Sequence, residues 1–137
     1  MAQIANFMIC DTMNNIPMPG GTFGLNIVNP QLLLRPSYIP GNFSFCIVVG
    51  VQGIKTTNLN TVKLKFEFCD PNNKLLQQSA AELPLVKMPN VPEEYQGFLM
   101  SFDLRNLPIE KEGAYILKLF VDEELIGTKE IPIYKKD

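Results

Sequence analysis

Apolar and polar side chains alternate with a period of two along most of this chain, and that regularity commits it to strands. The clearest case is 61–69, where Leu64, Phe66 and Phe68 alternate with Lys63, Lys65 and Glu67, the pattern of a half-buried strand. Asp70-Pro71-Asn72-Asn73 follows, a turn in which Pro presets φ and Asn tolerates left-handed backbone. Residues 74–80 then read as the return strand of a hairpin. A helix over 75–83 is the competing reading, but it is short and stops at Pro84.

The same alternation sets Phe98, Met100, Phe102 and Leu104 against Leu99, Ser101, Asp103 and Arg105 within 96–105, and turns Tyr115, Leu117, Leu119 and Val121 inward within 114–121. Asp122-Glu123-Glu124 connects the latter to a last strand over 125–133. There Pro132, which cannot donate to a ladder, marks a strand end or a sheet edge. Residues 4–10, 21–28 and 42–51 complete eight strands, and the β-branched and aromatic content of 42–51 makes it a central one. Eleven prolines and nine glycines fall mostly between these runs. The expected fold is therefore a single antiparallel β-sandwich, all-β, filling one domain over 1–137, since 137 residues suit one core. Residues 12–20, 30–41 and 84–95 are expected to be irregular.

With 46% apolar and 19% charged residues, the chain is too hydrophobic to remain disordered. A net charge of −2 supplies none of the clustered cations that displace phosphate counterions, so nucleic acid is not an expected partner. No apolar run reaches the roughly 18 to 20 residues needed to span a bilayer, and the opening residues lack the look of a secretory signal. The expectation is a cytoplasmic protein without membrane contact.

There is no histidine, which removes Ser-His-Asp and Cys-His catalysis and most zinc and iron sites together. Cys10, Cys46 and Cys69 are odd in number and widely spaced, as expected of reduced thiols. Cys10 and Cys46 read as packed, and Cys69, on the polar phase of its strand, as the most reactive. The acidic runs Glu93-Glu94 and Asp122-Glu123-Glu124 read as solvated turns, because calcium sites gather several Asp from neighbouring loops. No enzyme, cofactor or metal is expected.

The stretch Leu104-Arg105-Asn106-Leu107-Pro108-Ile109-Glu110-Lys111-Glu112-Gly113-Ala114-Tyr115 resembles the turn into a late strand of immunoglobulin-like sandwiches. The resemblance implies a tyrosine corner, with the Tyr115 hydroxyl bonded to upstream backbone. The chain departs from the antibody pattern in having no Trp and no Cys pair placed for the intersheet disulfide. The opening strand ending in Cys10-Asp11, the Asp70-Pro71 turn and the closing Gly113-x-Tyr115 hairpin also resemble an uncharacterised bacterial and phage family of unknown function. That likeness implies a sandwich and no activity.

Charge is distributed unevenly. Only Asp11 and Arg35 are charged among the first 54 residues, whereas 24 of the 26 charged residues lie from Lys55 onward. Either the N-terminal strands face a partner, since interface cores are depleted in Lys and Glu, or they are central strands solvated by Asn, Ser and Thr. Within this part, Met13, Ile16 and Met18 sit on one apolar loop and Leu33 and Arg35 on a second, while Met88 lies in the Pro-punctuated stretch 86–95. These six are the candidate partner contacts. The expected function is a non-enzymatic protein-interaction module of bacterial or phage origin, binding another protein or forming a homo-oligomer. The alternative is a structural or decoration component of a larger particle, such as a phage accessory protein.

Overall fold

The computed structural model describes residues 2–21, 23–55, 61–84 and 87–137. Its eight strands are β1 (Gln3–Pro17), β2 (Phe23–Gln31), β3 (Gly41–Gln52), β4 (Thr61–Cys69), β5 (Leu75–Pro84), β6 (Gly97–Ile109), β7 (Gly113–Val121) and β8 (Glu124–Ile133), with one 3₁₀ turn at Glu93–Tyr95. They form two antiparallel sheets of four, in the orders β2-β1-β3-β6 and β5-β4-β7-β8. Residues 22 and 86, which belong to the strand expected from 21 and to the extended stretch 86–95, lie outside the described residues.

The period-two residues make the core. Phe45, Ile47 and Val49 of β3 meet Phe66 and Phe68 of β4, Leu104 of β6 and Tyr115, Leu117 and Leu119 of β7, all buried. The rings interlock across the layers: Phe45 meets Phe68 edge-on at 5.8 Å, and Phe68 stacks on Tyr115 at 5.6 Å, both favoured aromatic geometries. The Tyr115 hydroxyl donates to the Lys111 carbonyl at 2.7 Å, so the tyrosine corner is present and the sandwich is immunoglobulin-like. Burial raises the Tyr115 pKa, partly offset by that bond. β3 is buried on both faces, as a central strand should be. The hairpin reading of 74–80 holds over the helical one, and the strand runs on to Pro84.

Two expectations are corrected. Residues 12–17 are not irregular, because β1 continues through them paired with β2 as far as Pro17 opposite Phe23. Gly20 and Gly21, at φ of 86° and 79°, supply the left-handed backbone that turns the ribbon round. Cys69 is not exposed. It keeps the phase of Glu67, standing opposite Ile116 as Glu67 stands opposite Lys118, but the β4–β5 register slips beside it and it is only 2% exposed. Burial also pushes its thiol pKa up, as it does those of Cys10 and Cys46, so exposure does not set it apart from the other two.

The β1–β2 ribbon as candidate functional site

β3 accompanies β1 from Gln3 to Cys10, whereas β2 pairs with β1 from Ile9 to Pro17. Beyond Cys10, therefore, β1 and β2 continue as a two-stranded ribbon with no third strand. Such ribbons are marginal in water by themselves. This one gains support at its root, where Met13, Leu25 and Ile27 pack over Cys10, Cys46 and Val48 in a small cluster separate from the main core.

Three candidate contacts are on the ribbon. Met13 is half-buried in the root cluster and Ile16 is exposed near the tip. Met18, also exposed, folds back over β2, its Sδ 3.0 Å from the position a Cβ on Gly24 would take. Val28 of β2 adds a third exposed apolar side chain. The other candidates lie elsewhere. Leu33 is half-buried on the crossover from β2 to β3, whose neighbour Leu34 is core, bridging in parallel to Ile133 and bonding Pro132 and Tyr134 through its backbone. Arg35 Nη2 donates to the Lys135 carbonyl at 3.1 Å, tying the crossover to the C-terminal segment.

Met88 sits at the opposite end of the sheet. Its backbone is clamped by Gln96, whose Oε1 accepts from Met88 N at 2.9 Å and whose Nε2 donates to the carbonyls of Met88 at 2.8 Å and Val91 at 2.9 Å. Gln96 adjoins the β3 end, its carbonyl accepting from Gly53 and Ile54. Gln52 at that end is opposite Gln3, and Gln3 and Pro17 are separated along β1 by roughly 45 Å at strand rise. Met88 and the ribbon tip are thus not one surface. Leu32, not among the six candidates, is at 92% the most exposed large apolar side chain among the described residues. The signal was available in the Leu32-Leu33-Leu34 run, because only one phase of it can face the core.

Both charges of the first 54 residues are occupied within the chain. Asp11 accepts from Asn29 Nδ2 at 2.6 Å and from Gln31 Nε2, which fixes the root of the ribbon, and Arg35 holds Lys135 as described. Past Asp11 the ribbon is neutral. β2 is also an edge strand without a charged residue, while the other edges carry Asp103 and Arg105 (β6), Glu82 (β5) and Glu124, Lys129 and Glu130 (β8). Edge charge is a common guard against strand addition, and β2 lacks it. The buried strand β3 accounts for part of the missing N-terminal charge; the exposed ribbon is not explained that way.

Among the described residues no three His, Cys, Asp or Glu side chains gather as a metal would require. No curated protein matches the chain. Among solved structures it is similar to the CARDB domain of a Pyrococcus furiosus protein in complex with di-metal ions, at 10% identity and a TM-score of 0.41 over 93% of this chain and 87% of that one. It is also similar to an immunoglobulin-like protein from Pseudomonas aeruginosa, at 13% identity and a TM-score of 0.35 over 94% and 97% of the two chains. Residues 7–134, spanning the whole sandwich from β1 to β8, match the family of unknown function DUF6941, and the chain belongs to that family.

Proposed function

We propose that this chain is a non-enzymatic, cytoplasmic interaction module that joins a second copy of itself through the free edge of β2, in antiparallel strand addition. The observation that carries this reading is the absence of charge on β2 alone among the four edges. An antiparallel pair about a twofold axis sets equivalent patches against each other, so a charge near the axis would meet its own copy. On β2 nothing repels. The unpaired backbone of residues 23–28 supplies main-chain hydrogen bonds, and exposed Ile16, Met18 and Val28 supply apolar area beside them. Asn29, in left-handed backbone at φ 55°, and Pro30 end the pairable stretch, which sets its register. The chain's lack of His and its buried thiols support a binding role over a catalytic one.

The test is solution mass by light scattering across a dilution series. The expected result is twice the chain mass at high concentration, falling to one on dilution. Asn26→Lys, exposed at the middle of the 23–28 stretch, where the two copies of a residue come close across the twofold, is expected to give a monomer at every concentration, and Leu125→Lys on β8 to leave the dimer intact. A wild-type chain that is monomeric throughout overturns self-association, and a mass that grows without limit favours a lattice component instead.

A further inference from the structure

Cys10, Cys46 and Asp103 form one row across three strands, Cys10 opposite Cys46 in the β1–β3 register and Cys46 opposite Asp103 in the β3–β6 register. Directly opposed residues of an antiparallel pair have Cα atoms about 4.5 to 5.5 Å apart, inside the roughly 4.4 to 6.8 Å that a disulfide spans. The Cys46 thiol donates to Asp103 Oδ1 at 3.0 Å. The Cys46 bond and Arg105, 2.9 Å from the same carboxylate, hold the Asp103 pKa below the ordinary Asp value. Cys69 provides a contrast within the molecule. It is as buried as Cys46, but Leu75 and Ile116 stand opposite it, so it has no thiol to join.

We propose that Cys10 and Cys46 are a disulfide-forming modification site closed by hydrogen peroxide, and that opening of the β1–β2 ribbon controls access to it. Cys10, 0% exposed, and Cys46, 2% exposed, lie beneath Met13, Leu25 and Ile27, so peroxide reaches sulfur only when those side chains lift. Burial raises both thiol pKa values, and burial together with the bond to Asp103 pushes Cys46 to about 12. Cys10, whose sulfur has no carboxylate bonded to it, is therefore the attacking thiolate. It attacks one peroxide oxygen, the O–O bond breaks, and Cys10 becomes a sulfenic acid while the departing hydroxide takes up the proton Cys10 has lost and leaves as water. The Cys46 sulfur then attacks the sulfenic sulfur. The S–S bond forms as the S–O bond breaks, and the Cys46 proton, passed through Asp103, converts the leaving hydroxide to a second water. Two thiols give up two electrons in all, and one peroxide becomes two waters.

The experiment treats the reduced full-length protein with hydrogen peroxide, alkylates remaining thiols under denaturing conditions, and measures intact mass and linked peptides. The expected product has lost two hydrogens, is alkylated only at Cys69, and contains a peptide joining Cys10 to Cys46. The rate should rise about tenfold per pH unit near neutrality, as the thiolate fraction of a high-pKa thiol does. Cys46→Ser should leave a Cys10 sulfenic acid that dimedone traps, and Cys69→Ser should form the bridge unchanged. Three alkylated cysteines in protein whose exposed Met18 has become the sulfoxide, or a bridge that includes Cys69, overturns the proposal.

Discussion

Gln96 is the buried polar side chain of the described core, 1% exposed, and its amide is fully used. It binds Met88 through both N–H and carbonyl and takes in the Val91 carbonyl, closing the stretch 88–96 in the way a short strand pair would. Removing one partner of a buried hydrogen bond leaves the other unsatisfied, at about 1 to 3 kcal/mol. Gln96→Ala is therefore expected to lower unfolding free energy by about 2 kcal/mol, read from urea denaturation with the slope unchanged. A loss within about 0.5 kcal/mol, the scale of ordinary surface substitutions, would mean that water replaces the amide without cost. Nothing around Gln96 marked this role beforehand, because a lone Gln among prolines has no periodicity and its three bonds depend on how the loop folds back. Tyr115 was legible for the opposite reason, since Gly113-x-Tyr115 is a local pattern whose acceptor, Lys111, lies only four residues upstream.

At the scale of elements, turns and core strands were readable and the ribbon was not. Period-two alternation arises where one strand face is wet and the other dry. Residues 12–17 of β1 are largely exposed on both faces, so they show no contrast and read as loop, and the bulge at Cys69 is set by its partner strand rather than by its own residues. The β4–β5 turn is a case where chemistry and sequence agree. The Asp70 carboxylate accepts the backbone N–H groups of Asn72 at 2.8 Å and Lys74 at 2.9 Å, with Lys111 Nζ 3.7 Å away. The Lys74 bond first, then the Asn72 bond and the two lysines, hold its pKa below the ordinary Asp value against a desolvation that opposes them. A carboxyl with a lowered folded pKa stabilises the fold above its unfolded pKa, about 3.9, and that contribution disappears as pH falls through the folded value. Asp70→Asn is thus expected to be less stable than wild type at pH 7, with the gap narrowing below about pH 4. Urea unfolding at the two pH values checks this, and a gap of constant size would assign the loss to turn geometry instead of ionisation.

The charge asymmetry visible in the sequence is, in the whole molecule, largely an asymmetry between sheets. β2 and β3 carry no charge and β1 only Asp11, whereas β4, β5, β7 and β8 all carry charged residues. β6 enters the first sheet from the charged half of the chain and brings Asp103 and Arg105, which pair with each other at 2.9 Å. The sequence could give the size of the imbalance but not this layout, which depends on strand order. The same point applies to Cys10 and Cys46, whose burial was readable and whose opposition was not. The layout bears on how copies of the chain attract. Exposed charges acting across an interface are screened by salt, because the Debye length falls from roughly 30 Å to 10 Å between about 0.01 and 0.1 M. An interface on β2 has no ionic pairs to screen and only a net charge of −2 per chain to oppose it. The dimer dissociation constant is therefore expected to change by less than about twofold over that range, with any drift toward tighter binding as the weak repulsion is screened. Sedimentation equilibrium at the two salt concentrations measures it. Weakening by an order of magnitude would place the contact on the charged sheet, where lysines and carboxylates of β4 and β8 would meet across it.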